Sequence, residues 1–312
     1  MKSSIKWVAT SCLVVVTMFV ASCAVASVED DEKEASPWNR IATDTSTRLR
    51  DGWGGCSSDV FVVGDSGTIL HYDGKTWERM SSSTLRDLSG IWGASCNDVF
   101  SVGQDGTILH YDGSAWDTVS SGTTLPLFDV WGTSSSDVFA VGWHGTILHY
   151  DGTAWTPMSS GTAVPLYGVW GSSPSDVFVV GNWGIVLHYD GNIWAKMESD
   201  AKVLLRGIWG SSPTDVLVVG YDGTILHYDG NAWGEMESDT TEHLLGIWGS
   251  SSSSVFAVGH GGVIQHYDGS AWTRMYSGVS LELTSVLSNV SHGVFVVGHG
   301  GAVLHCEGDV NE

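Results

Sequence analysis

Seven histidines, His71, His110, His149, His188, His227, His266 and His305, stand 39 residues apart along a chain of 312. Imidazoles at fixed spacing invite a metal, but ligands to one ion must converge within about 2 Å of it, and equivalent positions of successive units do not. These histidines are therefore read as structural, and no metal is expected. Asp73, Asp112, Asp151, Asp190, Asp229 and Asp268 recur with the same period, each followed by Gly. One carboxylate per turn is a poor calcium site, because Ca²⁺ takes six to eight oxygens, whereas Asp-Gly is ordinary hairpin-turn chemistry. A third set lies inside a repeated Gly-x-x-Gly and varies: Asp65-Ser66, Gln104-Asp105, Trp143-His144, Asn182-Trp183, Tyr221-Asp222, His260-Gly261 and His299-Gly300. A tight turn does not need tryptophan, so Trp143, His144, Asn182, Trp183, Tyr221, Asp222, His260 and His299 are the candidate ligand-binding residues. No nucleophile motif, phosphate loop or metal-ligand cluster appears. No catalytic residue and no cofactor is expected.

Those residues need a frame. From Trp53 onward each unit reads as a strand ending in Trp-Gly, then Val-Phe-x-Val-Gly, then Thr-Ile-Leu-His-Tyr-Asp-Gly, then a segment around a second Trp. Four short β-rich runs in about 40 residues are the content of one propeller blade, and no 3.6-residue period for a helical solenoid is visible. The second Trp recurs as Trp77, Trp116, Trp155, Trp194, Trp233 and Trp272, and once more, 39 residues earlier, as Trp38. The C-terminus stops after the third run of its last unit. The missing outer strand must then come from the segment around Trp38, closing the ring and removing two open sheet edges. The expected fold is an all-β, seven-bladed propeller of four-stranded blades. The repeated Trp residues are read as blade-packing aromatics.

With the strands lettered a to d in each blade, the b–c turns and d–a crossovers emerge on one face. Function is expected there, on a surface where aromatics stack on a sugar or anchor a protein hot spot; the bland alternative is neutral drift of exposed turns. An unknown protein partner leads and a glycan is the alternative. A multivalent lectin would repeat its turn residues from blade to blade, and here they differ. A glycosidase or lyase would need convergent carboxylates, and sialidase-like chemistry a cluster of Arg; no Lys or Arg occurs between Arg86 and Lys196.

The units resemble the Trp-Gly-Ser-Ser and Gly-Thr-Ile-Leu-His-Tyr-Asp-Gly repeats of exported bacterial propellers, and more loosely the Asp-box (BNR-type) propellers. Asp73-Gly74-Lys75-Thr76-Trp77 is one residue shorter than the usual Asp-box. The resemblance implies the fold and leaves function open, since Asp-box propellers include glycosidases, assembly factors and binding domains. Similarity to WD-repeat propellers implies a polar link between the strand-c His and the Asp of the a–b turn (Asp59, Asp98, Asp137, Asp176, Asp215). Ser254 and Gly293 replace that Asp in the last two blades.

The net charge is −22, with 35 acidic residues against 13 basic. Acidity of this size favours solubility and excludes nucleic acid as a partner. Residues 1–22 combine Lys2 and Lys6, an apolar run from Trp7 to Val20 and a small-residue exit, the layout of a secretory signal. Val20-Ala21-Ser22-Cys23 resembles the lipobox of bacterial lipoproteins, which implies lipidation at Cys23. Cleavage after Ala26 and retention of the apolar run as an anchor are the alternatives; a run of 14 residues is short of the roughly 20 needed to span a bilayer. The expected organisation is a signal at 1–22, an acidic tether at 23–36, the propeller at 37–308 and a tail at 309–312. The product is a monomer exported to the bacterial cell envelope, or alternatively secreted, touching membrane only through its lipid. Cys56, Cys96 and Cys306 do not read as a disulfide framework, and a Cys56–Cys96 bridge is left open.

Overall fold

The computed structural model describes residues 36–55, 59–289 and 293–307. Strand b of each blade (Val60–Gly64 in blade one, Asp137–Gly142 in blade three) is apolar and buried on both faces, as a strand enclosed between neighbouring blades must be. Strand d (Trp77–Met80, Trp155–Met158) shows solvent to its middle residues and keeps its ends covered. Each blade is an antiparallel sheet in the order a-b-c-d, and there are seven such sheets.

Blade seven is built from both ends of the propeller. Asn39–Ile41 pairs antiparallel with Val303–Cys306, placing Ile41 opposite Val303. The sheet then runs inward through Gly293–Gly298 to Leu283–Asn289. The expected N-terminal closing strand is present. No helix among the described residues is long and apolar enough to cross a membrane.

The core is a ring of inter-blade layers. Trp116 of blade two meets Phe61 of blade one edge-on at 6.2 Å, and Trp155 meets Phe100 in the same way at 6.0 Å. At the closure Trp38 meets Phe256 and Trp77 meets Phe295, both near 6.1 Å. Six outer strands are thereby fastened to the preceding blade in the edge-to-face geometry aromatic pairs prefer, and in the other Trp272 packs on Leu217. The strand-a indoles pack the other way, over a glycine of the next blade. A Cβ at Gly132 would lie 2.9 Å from Trp92, which explains Gly after each of these tryptophans.

One position breaks the layering. Gln265, where other blades carry Leu, is fully buried, and neither its Oε1 nor its Nε2 has a hydrogen-bond partner among the described residues.

Candidate binding face

The b–c turns differ by one residue from the sequence reading. Thr146 N–H donates to Trp143 O at 3.1 Å, so the central pair is His144-Gly145 rather than Trp143-His144. Both central residues have positive φ, 54° at His144 and 71° at Gly145. This is the primed hairpin turn whose twist matches that of the flanking strands. Gly is required at the second place, because a Cβ on Gly145 would meet Thr162 O at 2.1 Å. That contact presses the crossover leaving blade three onto the turn of blade three, and makes turns and crossovers one surface.

The first central position is occupied by Ser66, Asp105, His144, Trp183, Asp222, Gly261 and Gly300. Gly costs nothing at positive φ, and Asn, Asp and His are several-fold enriched there over other residues, while a bulky residue is an outlier. Trp183 is that outlier, at φ 59° and ψ 29° with 76% of its surface exposed. A large indole held in a strained conformation and left in solvent is paid for by nothing in the packing, which points to function.

Trp143, 39% exposed, begins a run that leads inward. Its ring meets Phe128 edge-on at 6.2 Å, Phe128 stacks on Tyr167 at 4.8 Å, and the Arg206 guanidinium lies 5.4 Å from the Tyr167 ring centre. Arg206 Nη1 also donates to Tyr167 O at 3.2 Å. Arg206 has no carboxylate within ion-pair distance among the described residues, whereas Arg48, Arg50 and Arg86 on the same face all do. Phe128, Tyr167 and Arg206 are second residues of their a strands and line the mouth of the central channel.

Just below that mouth sit Asp51 and Asp129, in the place of the repeat's Gly. Asp129 Oδ2 accepts the Val169 N–H and Oδ1 accepts its neighbour Val130 N–H. Asp51 accepts the Ile91 N–H and the Ser285 hydroxyl. Each therefore ties neighbouring blades together. Burial in the channel wall, and then the nearby Asp51 charge, push Asp129 up to about 7. Burial also raises Asp51. On the far side of this constriction the channel widens to about 470 Å³, ringed by Trp53, Trp92, Trp131, Trp170, Trp209 and Trp248.

Blades five to seven carry a different assembly. Tyr221 stacks on His243 at 3.9 Å, and His243 lies 5.0 Å from His260. Glu282 bridges His260 Nε2 at 3.1 Å, His299 Nε2 at 3.2 Å and Arg48 at 2.6 Å. Asp222 N–H donates to His243 Nδ1. Of the eight candidate residues, the structure joins Tyr221, Asp222, His260 and His299 in this network. It places Trp143 on the aromatic run, and Trp183, His144 and Asn182 on the turns of blades three and four.

The sequence reading missed Phe128, Tyr167, Arg206, Asp51, Asp129, His243 and Glu282. The signal was present: Arg50 and Arg206 interrupt otherwise apolar or small second positions of strand a, and Asp51 and Asp129 stand where Gly recurs.

The repeated histidines stay within their own blades. His71, His110, His149, His188 and His227 place Nε2 2.6 or 2.7 Å from Asp59, Asp98, Asp137, Asp176 and Asp215. The rings of His71, His110, His149 and His188 also face the strand-b Phe, as His110 does Phe100 at 4.3 Å, whereas His227 lies opposite Leu217. His266 lacks the aspartate and is lowered by burial. In the c–d turns Asp112 Oδ1 accepts from the Ser114 hydroxyl and the Ser114 and Ala115 N–H groups, holding its carboxyl down to about 2. Cys96 and Cys306 are each disulfide-bonded, which corrects the expectation that the three cysteines make no disulfide framework. Cys56, the leader at 1–22 and Cys23 lie outside the described residues.

Fold and face together define a seven-bladed β-propeller with an asymmetric turn surface around its channel. No protein-family model and no curated protein matches the chain. Solved structures share the fold. A YCF48 bound to D1 peptide superposes with a TM-score of 0.74 at 17% identity, covering 88% of this chain and 96% of that one. YCF48 from Cyanidioschyzon merolae gives 0.71 at 17% identity, covering 88% and 99%. The WD40 β-propeller domain of Doa1 gives 0.75 at 12% identity, covering 86% and 96%.

Proposed function

We propose that this protein is a non-catalytic binding or scaffold propeller that presents the b–c and d–a face of blades three and four to a protein partner. The observation that carries the reading is Trp183, exposed and held at positive φ beside the run from Trp143 to Arg206. Exposed indoles are the residue type that hot spots are made of. A propeller of the same fold solved with a peptide bound supports a protein partner by analogy of architecture. A non-catalytic reading is favoured because the two channel carboxylates are engaged by backbone N–H groups and Ser285, which leaves them tying blades rather than meeting substrate.

The rest of the proposal concerns placement. The lipobox at Cys23 would hang a monomeric propeller from the bacterial cell envelope by one lipidated residue, an anchor rather than a membrane domain. Kinship to Asp-box propellers rests on the c–d turns, where Asp73 Oδ1 accepts the Lys75 and Thr76 N–H groups. A fatty-acid probe at Cys23 tests the anchor, and unlabelled protein ends it. For the face, a pull-down from envelope extract is run beside a glycan array with wild type and Trp143→Ala/Trp183→Ala. Partner capture lost in the double variant is the expected result. Glycan binding with no protein capture replaces this reading with a lectin.

A further inference from the structure

The aromatic sector has a specific chemistry, and the inference from it rests on the protein-binding reading above. The crossovers entering blades three and four, Ser120 to Pro126 and Ser159 to Pro165, contain no charged residue, nor do their turns contain an Asp, Glu, Lys or Arg. This is unusual on a chain of net charge −22. The aromatic run ends at Arg206, which is half-buried at the mouth of the channel and has only the Tyr167 carbonyl as hydrogen-bond acceptor among the described residues. A guanidinium offers five N–H donors, and those not given to Tyr167 O are open to an incoming acceptor. The recess they line holds about 90 Å³, room for the tip of one side chain.

We infer that the face takes an extended, uncharged peptide segment, which stacks aromatic or proline side chains on Trp183 and the Trp143–Phe128–Tyr167 run and places a carboxamide or main-chain carbonyl oxygen on Arg206. The charges around the recess select the neutral acceptor. Asp51 and Asp129 both act on Arg206, so an incoming carboxylate would compete with them for the one guanidinium, beside a wall whose burial already disfavours carboxylate charge. An incoming cation would compete with Arg206 for the same carboxylates and for the Tyr167 ring. A neutral oxygen satisfies the guanidinium donors without either penalty. Extended proline-containing segments arrive with little conformational entropy left to lose and dock in aromatic-lined grooves.

A random peptide library displayed on phage is selected against the full mature chain, and the enriched peptide is synthesised and measured by fluorescence anisotropy. Enriched peptides are expected to be uncharged at their centre and to contain Pro or aromatic residues beside Asn or Gln. Binding should fall at least tenfold in Trp143→Ala/Trp183→Ala, about tenfold in Arg206→Met, and change little between low and high salt. A single Glu or Lys placed in the peptide at the Asn or Gln position should cost about as much as Arg206→Met, and needs no change to the protein. Enriched peptides that carry a central charge, yet depend on Trp143 and Trp183, overturn the neutral-segment inference and leave the face reading intact. Peptides indifferent to both tryptophans overturn the two together.

Discussion

Two sectors of one face, built on the same 39-residue frame, have opposite chemistry. Blades three and four expose indoles and carry no charge in their turns or in the crossovers entering them, and the outermost indole sits at a backbone angle that costs stability. Blades six, seven and one meet in a network in which Glu282 holds His260, His299 and Arg48. In the second sector Glu282 draws two histidines and an arginine onto one carboxylate, even though Arg48 Nε and His299 Nε2 keep no hydrogen bond of good geometry among the described residues. In the first, Trp183 is exposed and Arg206 meets no carboxylate within ion-pair distance among the described residues. A frame that can close polar groups onto one another in one place and leaves them open in another is reserving the open place for something else.

The largest expected effect calibrates what a tryptophan of the frame does, as against one of the open sector. Trp155→Ala removes a buried inter-blade indole and should cost about 3–5 kcal/mol in urea unfolding, in contrast to either face tryptophan. If Trp155→Ala is as mild as Trp143→Ala, the division between frame and face fails. Partner affinity should drop tenfold or more in Trp143→Ala/Trp183→Gly, as hot-spot truncation does. The Gly change alone should meanwhile raise stability by about 1 kcal/mol by removing the positive-φ strain. A loss of both stability and binding would make Trp183 structural. Beneath the network, Gln265→Leu restores the repeat's residue and should stabilise the fold by about 1–3 kcal/mol, read by the urea midpoint; a destabilised variant would show that Gln265 has a role of its own.

The channel between the sectors is probed by pH. Asp129, with its folded pKa raised to about 7 by burial and then by Asp51, binds more protons folded than unfolded between about pH 4 and 7. Its contribution is therefore complete below about pH 4 and is lost as pH rises. Asp112, Asp151 and Asp268 are held at about 2 by the Ser114, Thr153 and Ser270 hydroxyls and by turn N–H groups. Their contribution runs the other way, present above about pH 4 and lost as pH falls toward 2. Melting temperature should fall on the acid side, and the decline between pH 4 and 7 should flatten in Asp129→Gly. An unchanged slope would remove Asp129 as its source. The smallest effect belongs to the closed sector. Glu282→Gln loses a partly exposed ion-pair network, costs about 1 kcal/mol or less and leaves partner affinity unchanged. A partner lost in Glu282→Gln reverses the assignment of sectors.

The frame was readable because each of its demands recurs. The period of the histidines, the Trp38 copy and the truncated last unit were enough to derive seven blades and their closure. The face was half readable. Trp143 and Trp183 stood out as residues no turn needs. Nothing in the pattern Gly-x-x-Gly said which variable residue takes positive φ, since that follows from which carbonyl the Thr146 N–H reaches. Arg206 left a signal as a charge at position 2 of strand a, but Phe128 and Tyr167 were hidden there among residues that change from blade to blade. Only the ring geometry brings residues 39 apart, Phe128 and Tyr167, into a stack at 4.8 Å. The Glu282 network was hidden for the same reason, as it joins residues from three blades and both ends of the ring.

The central claim, that the aromatic sector is where a protein docks, is tested most directly by photocrosslinking in cells. A photoreactive phenylalanine analogue is placed in turn at Trp183 and His299 on the two sectors, and at Ile193, exposed in a c–d turn away from the b–c face. A discrete protein adduct from position 183, absent from 193 and weak or absent from 299, is the predicted result. An adduct from 193 or 299 with none from 183 would contradict it.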